Sequence, residues 1–337
     1  MGDPLTQVNA LATEQPPKNE LSTGAKVLNW MADNGIFVLT ALLIGVAVIG
    51  VDGFASLQNI ADVFHRAAPI GIVAVGMTFV VISGNYLDLS VVAQVATAAV
   101  ILIAVSNEYG YFLAIIAAMI AATVFGIVNG VAVGYFKANA VIVTLSTTYI
   151  GLGLLRFFSG GSIFFGPYES PLATFGAGKL GPVPYSALVL LAMTLILSFV
   201  LNRTNFGFTV RSFGVNERAT RLGGTNTGLV IIGAFLVTAF SAMIAGFVLA
   251  AFSNTAVSAM STGYDFRALA AIIVGGTSVF GGKGSVMRTL LGVVFVSVLT
   301  NVLVLLNISF GYQQMALGFL IAAAVSIDAL ARRAGKK

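Results

Sequence analysis

Apolar segments separated by short polar stretches occupy most of the chain between residues 36 and 330. A helix needs ~20 apolar residues to cross a bilayer upright, and only a helix or a closed barrel satisfies its backbone there. The pattern predicts an all-α membrane protein, a polytopic bundle of about ten transmembrane segments. Eight crossings with two re-entrant hairpins fit the same charges. The predicted segments are Ile36–Val51, Ala67–Ser83, Leu89–Ser106, Tyr111–Phe136, Ala140–Phe158, Tyr185–Leu201, Gly228–Phe252, Ala268–Phe280, Thr289–Ser309 and Met315–Leu330.

Composition and charge support the same class of protein. The chain is 58% hydrophobic and 9% charged, whereas a soluble domain carries about 25% charged residues. The net charge of +5 lies at the ends of the apolar segments, so it indicates membrane topology and not nucleic-acid binding. The chain has no Cys, which excludes disulfides, thiol chemistry and Cys-ligated metals.

The distribution of charge predicts three regions in this membrane protein. Residues 1–34 form a polar cytoplasmic tail, residues 35–331 the transmembrane domain, and residues 332–337 a basic cytoplasmic C-terminus. Basic residues mark cytoplasmic loops. The predicted outer loops instead carry more acidic than basic residues: Asp52, Asp62, Glu108, Glu169 and Asp265, against Arg66, Lys179 and Arg267.

The polar loop of residues 202–227 holds four arginines and one acid, Glu217. Its position between apolar segments and its charge place it on the cytoplasmic side. Val215 to Leu222 contains helix formers and lies between Gly214 and the pair Gly223 and Gly224, where glycines allow sharp reversals. We expect a short amphipathic helix offered to a partner. The alternative is that the arginines only determine topology.

Three glycines in the fourth apolar segment, Gly126, Gly130 and Gly134, are spaced four residues apart. This spacing places them on one helix face, where a second backbone can approach closely. We therefore expect tight helix packing at this face.

Polar side chains within the apolar segments form a candidate translocation path. Asp88 precedes a helical run, and a carboxylate at membrane depth needs a partner, water or a capping role. Helix capping by Asp88 or Ser90 and a broken region that lines a path are both compatible with its position. Neutral amides and hydroxyls suit a polyhydroxylated solute better than an ion. The candidate path residues are Asp88, Ser90, Gln94, Asn129, Thr144 and Thr147.

The glycine-rich stretch from Gly275 to Ser285 does not match a phosphate-binding loop. That motif requires Lys and then Ser or Thr after the second glycine, but Gly282 follows Gly281 here. We predict a tight turn and no nucleotide site. The structural glycines would be Gly275, Gly276, Gly281, Gly282 and Gly284. His65 is the only histidine, so no His-pair metal site exists, and nothing supports an enzyme.

Three stretches resemble the sugar-type permeases of ATP-binding-cassette importers, the ribose permease group. LDLSV (87–91) resembles the family's IDLSVG signature, although Tyr86 and Val92 replace its glycines. ALAAIIVGGTSVFGGKGSV (268–286) resembles its glycine-rich signature. FGFTVRSFGVNERATRLGGTNT (206–227) is similar to its cytoplasmic coupling loop, with Thr220 and Thr225 as departures.

This resemblance implies a type II importer fold and an assembly of several subunits in a bacterial inner membrane. The partners would be an ATPase subunit, a periplasmic sugar-binding protein, a second permease subunit and the lipid bilayer. ATP and magnesium would be bound by the ATPase, and no cofactor by this chain. The coupling-loop residues implied are Gly214, Asn216, Glu217, Arg218, Ala219, Arg221 and Gly224.

Other functional classes make different predictions. An ion-coupled secondary transporter would use Asp88 as its proton or cation site. A membrane enzyme would need several ionisable residues at one depth, and Asp88 stands nearly alone. A passive channel would show flux without energy input.

Overall fold

A computed structural model describes residues 23–84 and 86–334. This part of the chain is helical, with only four two-residue strands, which confirms the predicted all-α class. The predicted tail falls largely on residues 1–22, which lie outside the described residues, as do 335–337 of the predicted C-terminus. The helices are α1 (Thr23–Gly50), α2 (Leu57–Ile82), α3 (Val91–Tyr109), α4 (Tyr111–Gly134), α5 (Ala140–Ser159), α6 (Pro171–Ala177), α7 (Tyr185–Arg203), α8 (Asn205–Val215), α9 (Glu217–Leu222), α10 (Thr227–Ser253), α11 (Tyr264–Val274), α12 (Val286–Leu305) and α13 (Phe310–Ala334).

Helix α2 lies at the centre of the bundle. It packs against α7, α10, α11 and α12, and 89% of its most apolar stretch is buried. The corresponding share is 22% for α4 and α5, which therefore lie at the periphery. Small side chains let the neighbours approach, since a methyl group added at Gly76 would overlap the side chain of Ser241 in α10. A buried hydrogen bond of 3.0 Å between Thr78 and Thr289 joins α2 to α12.

The glycine ladder of α4 packs directly on α10, as its spacing predicts. A methyl group added at Gly130 would lie 2.6 Å from the Cα atom of Ile232. One added at Gly126 would lie 3.0 Å from the Cα of Leu236, and one at Gly134 would lie 2.9 Å from the carbonyl oxygen of Gly228. These contacts are with backbone atoms, which cannot turn aside as a flexible side chain can.

Several predicted segments have the wrong boundaries, since α1 begins at Thr23 and not at Ile36, and α13 begins at Phe310 and not at Met315. Seven described helices are long and apolar enough to cross a membrane, and two shorter apolar stretches, 35–50 and 310–326, accompany them. The predicted segment Ala268–Phe280 is not one helix. Its helix, α11, ends at Val274 because Gly276 takes a positive φ of 82°. The count of about ten crossings therefore stays a prediction.

The predicted start of α2 is also wrong. The sequence predicts a loop up to Arg66 and a segment beginning at Ala67, but the helix begins at Leu57. Ser56 caps it by accepting a hydrogen bond of 3.2 Å from the Asn59 amide. Asp62 and Arg66 are thus helical residues, because charged side chains do not end a helix when they can reach a wet surface.

The connections give the two ends of the bundle different structures. At one end lie α8 and α9, which carry Arg211, Arg218 and Arg221; we call it the arginine end. At the other, β1 (Phe164–Phe165) pairs with β4 (Thr255–Ala256), and β2 (Lys179–Leu180) with β3 (Val183–Pro184). We call this the hairpin end.

The packing of α4 on α10 predicts a position-specific effect of one methyl group. Replacing Gly by Ala in an exposed helix interior favours the helix by roughly 1 kcal/mol. We expect Gly130→Ala to lower the melting temperature of the detergent-solubilised protein instead, because overpacking costs about 1–3 kcal/mol. Gly153→Ala in α5, where an added methyl meets nothing within 4 Å, is the matched control and should not lower it. Equal melting temperatures for both variants would contradict this packing.

Candidate functional site

The short helix expected in the basic loop is α9, and its first turn is capped. The Oδ1 atom of Asn216 accepts a hydrogen bond of 3.0 Å from the amide of Ala219. At the other end, Gly224 takes a positive φ of 83°, which reverses the chain. The expected helix started at Val215, whereas α9 begins at Glu217, and Gly214 lies inside the preceding helix α8 rather than at a boundary.

Helix α9 projects from the arginine end with none of its residues buried. Leu222 is 83% exposed and Val215, at the end of α8, is 73% exposed. Arg218 is also exposed and forms no hydrogen bond or ion pair with any described residue. A projecting helix with free apolar and basic side chains is suited to a partner surface that combines an apolar groove with acidic groups.

Glu217 ties this exposed helix to the bundle. Its Oε1 atom accepts hydrogen bonds from Lys137, 2.6 Å away beyond the end of α4, and from Arg221, 2.7 Å away. The bond from Lys137, followed by those to Arg221, lowers the pKa of the Glu217 carboxyl below its usual 4.5 against the opposing effect of burial. The single acid of the loop is therefore ionised at neutral pH, and its hydrogen-bond partners are both residues of this chain.

Glycines join α8 to two other parts of the bundle at the arginine end. The amide of Gly282 donates a hydrogen bond of 2.8 Å to the carbonyl of Ile82, the last residue of α2. A methyl group at Gly214 would overlap that same carbonyl, and one at Gly281 would lie 2.6 Å from the Cα of Gly84. We call Gly84, Gly214, Gly281 and Gly282 the glycine junction. It brings three backbones into direct contact.

Arg211 strengthens the connection between α8 and the glycine-rich stretch. One guanidinium nitrogen donates to the carbonyl of Gly284 at 3.0 Å, and the other donates to Oδ1 of Asn202 at 2.8 Å. The same stretch is folded tightly, since methyl groups at Gly275 and Gly284 would meet the carbonyl of Arg288 and the side chain of Thr277. The turn predicted for residues 275–285 thus positions the start of α12 against α8.

Asp88 lies in the non-helical stretch before α3 and is fully buried in a polar network. Its Oδ1 accepts hydrogen bonds from the amide and hydroxyl of Ser90, at 3.0 and 2.5 Å. Gln94 donates to Oδ2 of Asp88 at 3.3 Å and to the Ser90 hydroxyl at 2.6 Å. Asn129 of α4 also donates to that hydroxyl, at 2.8 Å. Asp88 therefore holds the amino end of α3, while Ser90 itself makes no capping bond through its side chain.

Two threonines of α5 satisfy carbonyls of the same non-helical stretch. Thr144 donates to Leu87 at 3.3 Å, and Thr148 donates to Leu89 at 2.9 Å. Thr147, the predicted path residue, bonds only within its own helix, to the carbonyl of Thr144. Five of the six predicted path residues are thus brought together, and Thr147 is partly buried next to them in α5 without a bond to the network.

Sequence patterns located the parts of this region but missed their assembly. The predicted coupling residues lie on α8, α9 and the turn after them, and the glycine-rich stretch lies beside Gly214. Nothing in the spacing of Gly84, Gly214 and Gly281 indicated that they meet. Thr148 is a polar residue of the same apolar segment that was not chosen for the path, although its spacing of four residues from Thr144 places both on one helix face. Among the described residues, no group of three or more His, Asp and Glu could hold a metal ion.

Comparison with known proteins identifies the family. A family model described as the permease component of a branched-chain amino acid transport system matches residues 59–325. The chain belongs to this permease family. The ribose import permease of Haemophilus influenzae is 31% identical over 92% of this chain and 97% of its own. The L-arabinose transport system permease of Escherichia coli is 31% identical over 89% and 91%.

A third relative, a probable ABC transporter permease of Escherichia coli, is 31% identical over 98% of this chain and 99% of its own. No solved structure matches the chain significantly. These relatives confirm the ribose-type ABC permease suggested by the three motifs, a multi-pass inner-membrane protein and a transport subunit rather than an enzyme.

The contacts of Glu217 predict that α9 is held in place by an ionised carboxylate. We expect amide hydrogen exchange in residues 217–224 to be faster in Glu217→Gln than in the parent at neutral pH. The effect should be up to about fivefold, because half-exposed ion pairs contribute roughly 0–1 kcal/mol. A lowered carboxyl pKa stabilises the fold above the usual value of 4.5 and ceases to do so as the pH falls through the folded pKa.

The difference between the two proteins should therefore disappear in acid below that folded pKa. Arg203→Gln, which removes a charge from the same loop without a contact to α9, should match the parent at every pH. Equal exchange in Glu217→Gln and the parent at neutral pH would show that these hydrogen bonds do not hold α9.

Proposed function

We propose that this chain is the membrane-spanning subunit of an ATP-driven importer that moves a monosaccharide or related polyol. A separate ATPase subunit supplies the energy, and a periplasmic binding protein delivers the solute. The observation that carries the proposal is the exposed helix α9, whose Arg218 and Leu222 side chains are free. The residue before this helix that contacts α2 is Gly214, a member of the glycine junction.

The arginine end faces the cytoplasm in this proposal, since basic loops stay on that side. Both termini then lie in the cytoplasm. Helix α9 inserts into a groove of the ATPase, where Arg218 and Arg221 meet acidic side chains. The ATPase binds ATP and magnesium, and its closure displaces α9 as a rigid body.

The glycine junction passes this displacement to the bundle. Its contacts join backbone to backbone, so no flexible side chain absorbs the motion. When α8 moves, it pushes on the end of α2 at Ile82 and on the turn before α12. The Asp88 network lies directly beyond α2, so the same motion reaches the start of α3.

A second copy of the chain completes the path for the solute. Helix α5 presents the hydroxyl groups of Ser146 and Tyr149 on its outer side, with Thr147 partly buried beside them, and Tyr149 is 75% exposed. Hydroxyls on an outward surface at membrane depth suit an interface between two permeases that carries a hydroxylated solute. The sugar class follows from the relatives, which are named for ribose and L-arabinose.

One observation favours a second candidate, an ion-coupled transporter. Asp88 is a buried carboxylate with no cationic partner among the described residues. Such a group could bind a proton or a cation during transport.

Docking of α9 on an ATPase predicts the loss of a partner from a defined variant. We expect the chain to co-purify with a stoichiometric ATPase from its native membranes in mild detergent, and Arg218→Ala with Leu222→Ala to lose it. Neither side chain has a partner within the described residues, so the variant should keep its melting temperature. Arg203→Ala, an equal charge change outside α9, is the control and should retain the ATPase. Retention by the double variant would contradict docking through α9.

Replacement of Asp88 separates the two candidates. Asp88→Asn keeps the shape and the acceptor for Ser90 but removes the charge. We expect ATP-driven uptake in proteoliposomes of the whole complex to change less than about threefold, because a neutral amide can still cap α3. An ion-coupled transporter would instead lose uptake completely and would run on a proton or sodium gradient without ATP. Gradient-driven uptake abolished by Asp88→Asn would favour the second candidate.

A further inference from the structure

The Asp88 network leaves no room for a solute, but a large polar cavity opens elsewhere. Its volume is about 630 Å³. It lies towards the hairpin end, between the first half of α2, the end of α10, the start of α11, the second half of α12 and the start of α13. Ligand pockets in proteins typically measure about 300–1,000 Å³. The size therefore fits a small organic molecule with several waters.

Amides and unpaired charges line this cavity. Asn59 of α2 and Asn301 of α12 form a reciprocal amide pair, with hydrogen bonds of 3.1 and 2.8 Å. Asp62, Arg66 and Arg267 also line it, and none of the three forms an ion pair with a described residue. Charged side chains on apolar helices are costly in lipid, so they indicate a water-filled space.

Aromatic rings form another part of the wall. Phe252, at the end of α10, stacks on His65 of α2 with ring centroids 4.9 Å apart. His65 is fixed by a hydrogen bond of 3.0 Å to the hydroxyl of Ser186. Tyr264 and Phe310 add two further rings. The cavity therefore offers flat apolar surfaces beside hydrogen-bonding groups of both polarities.

We propose that this cavity is a binding site for a neutral polyhydroxylated solute that enters from the hairpin end. Adjacent hydroxyls of such a solute match the second amide N–H of Asn301, the guanidinium of Arg267 and the carboxylate of Asp62. Asn59 holds Asn301 in place, because its own amide hydrogens are donated to the Phe54 carbonyl and to Asn301. The C–H faces of its ring pack on the aromatic wall. The site rests on the proposed transport function, because it gives the solute a place within one subunit before it moves on.

The position of the site links it to the glycine junction at the opposite end. Helix α2 lines the cavity with its first half and reaches the junction at Ile82. Helix α12 begins just after Gly284 and lines the cavity near its other end. Pro69 of α2, also in the wall, cannot donate the helical hydrogen bond to residue 65, so α2 can bend there. Motion at the junction thus changes the shape of the site.

The absence of Cys from the natural chain makes the site directly testable. Thr300→Cys and Ser297→Cys, each a small change on the α12 wall, would be treated in the whole importer complex with a membrane-impermeant methanethiosulfonate. We expect both to react, and ribose or L-arabinose to slow the reaction severalfold. Tyr168→Cys, 95% exposed at the hairpin end, should react at the same rate with or without sugar. Ile120→Cys, on the outer apolar side of α4, should not react.

Three results would contradict the site. The first is that the cysteines at both α12 positions fail to react, and the second is that neither sugar changes their reaction rate. The third is that the anionic sugar galacturonate slows the reaction more than both neutral sugars do. ATP-driven uptake of the same sugars by the same complex is measured in parallel. If the complex takes up sugar but sugar does not slow cysteine modification, the site is wrong and the proposed function stands. If sugar slows modification but ATP drives no uptake, the proposed function is wrong and the site stands.

Discussion

Every break in a helix at membrane depth leaves backbone groups that lipid cannot satisfy, and this requirement organises the centre of the protein. Asp88 accepts the amide of Ser90 at the start of α3, and Thr144 and Thr148 donate to the carbonyls of Leu87 and Leu89. The two threonines come from α5, so the break is stable only when α5 is packed beside it. Asp88 and Thr144, two of the residues predicted to line a path for solute, thus hold backbone groups of this break.

The same requirement explains the arginine end. The carbonyl that ends α2, at Ile82, receives its hydrogen bond from Gly282 of a distant turn, and Gly214 of α8 must lack a side chain to allow this. Satisfying one helix end therefore places the base of the exposed helix α9 against the central helix. A contact needed for stability becomes the connection through which a partner can act on the bundle. The polar cavity lies at the far ends of the same helices.

Much of the fold was predictable, for reasons visible in particular residues. Apolar length and the spacing of Gly126, Gly130 and Gly134 are local properties, and both correctly indicated a packed helical bundle. The charged residues Asp62 and Arg66 were wrongly assigned to a loop, since only the surrounding helices create the wet space that they face. The segment Ala268–Phe280 was apolar throughout, and hydropathy does not register the positive φ that ends its helix at Val274.

The sequence by itself determined the membrane environment, the basic loop with its short helix, and the family, because hydropathy, charge and motif order are written along the chain. Only the tertiary structure decided which groups meet. The glycine junction joins residues 84, 214, 281 and 282, and the cavity joins α2 with four other helices. Such contacts depend on how helices that are far apart in sequence pack together. The pattern of residues along one helix does not show which other helix it will meet.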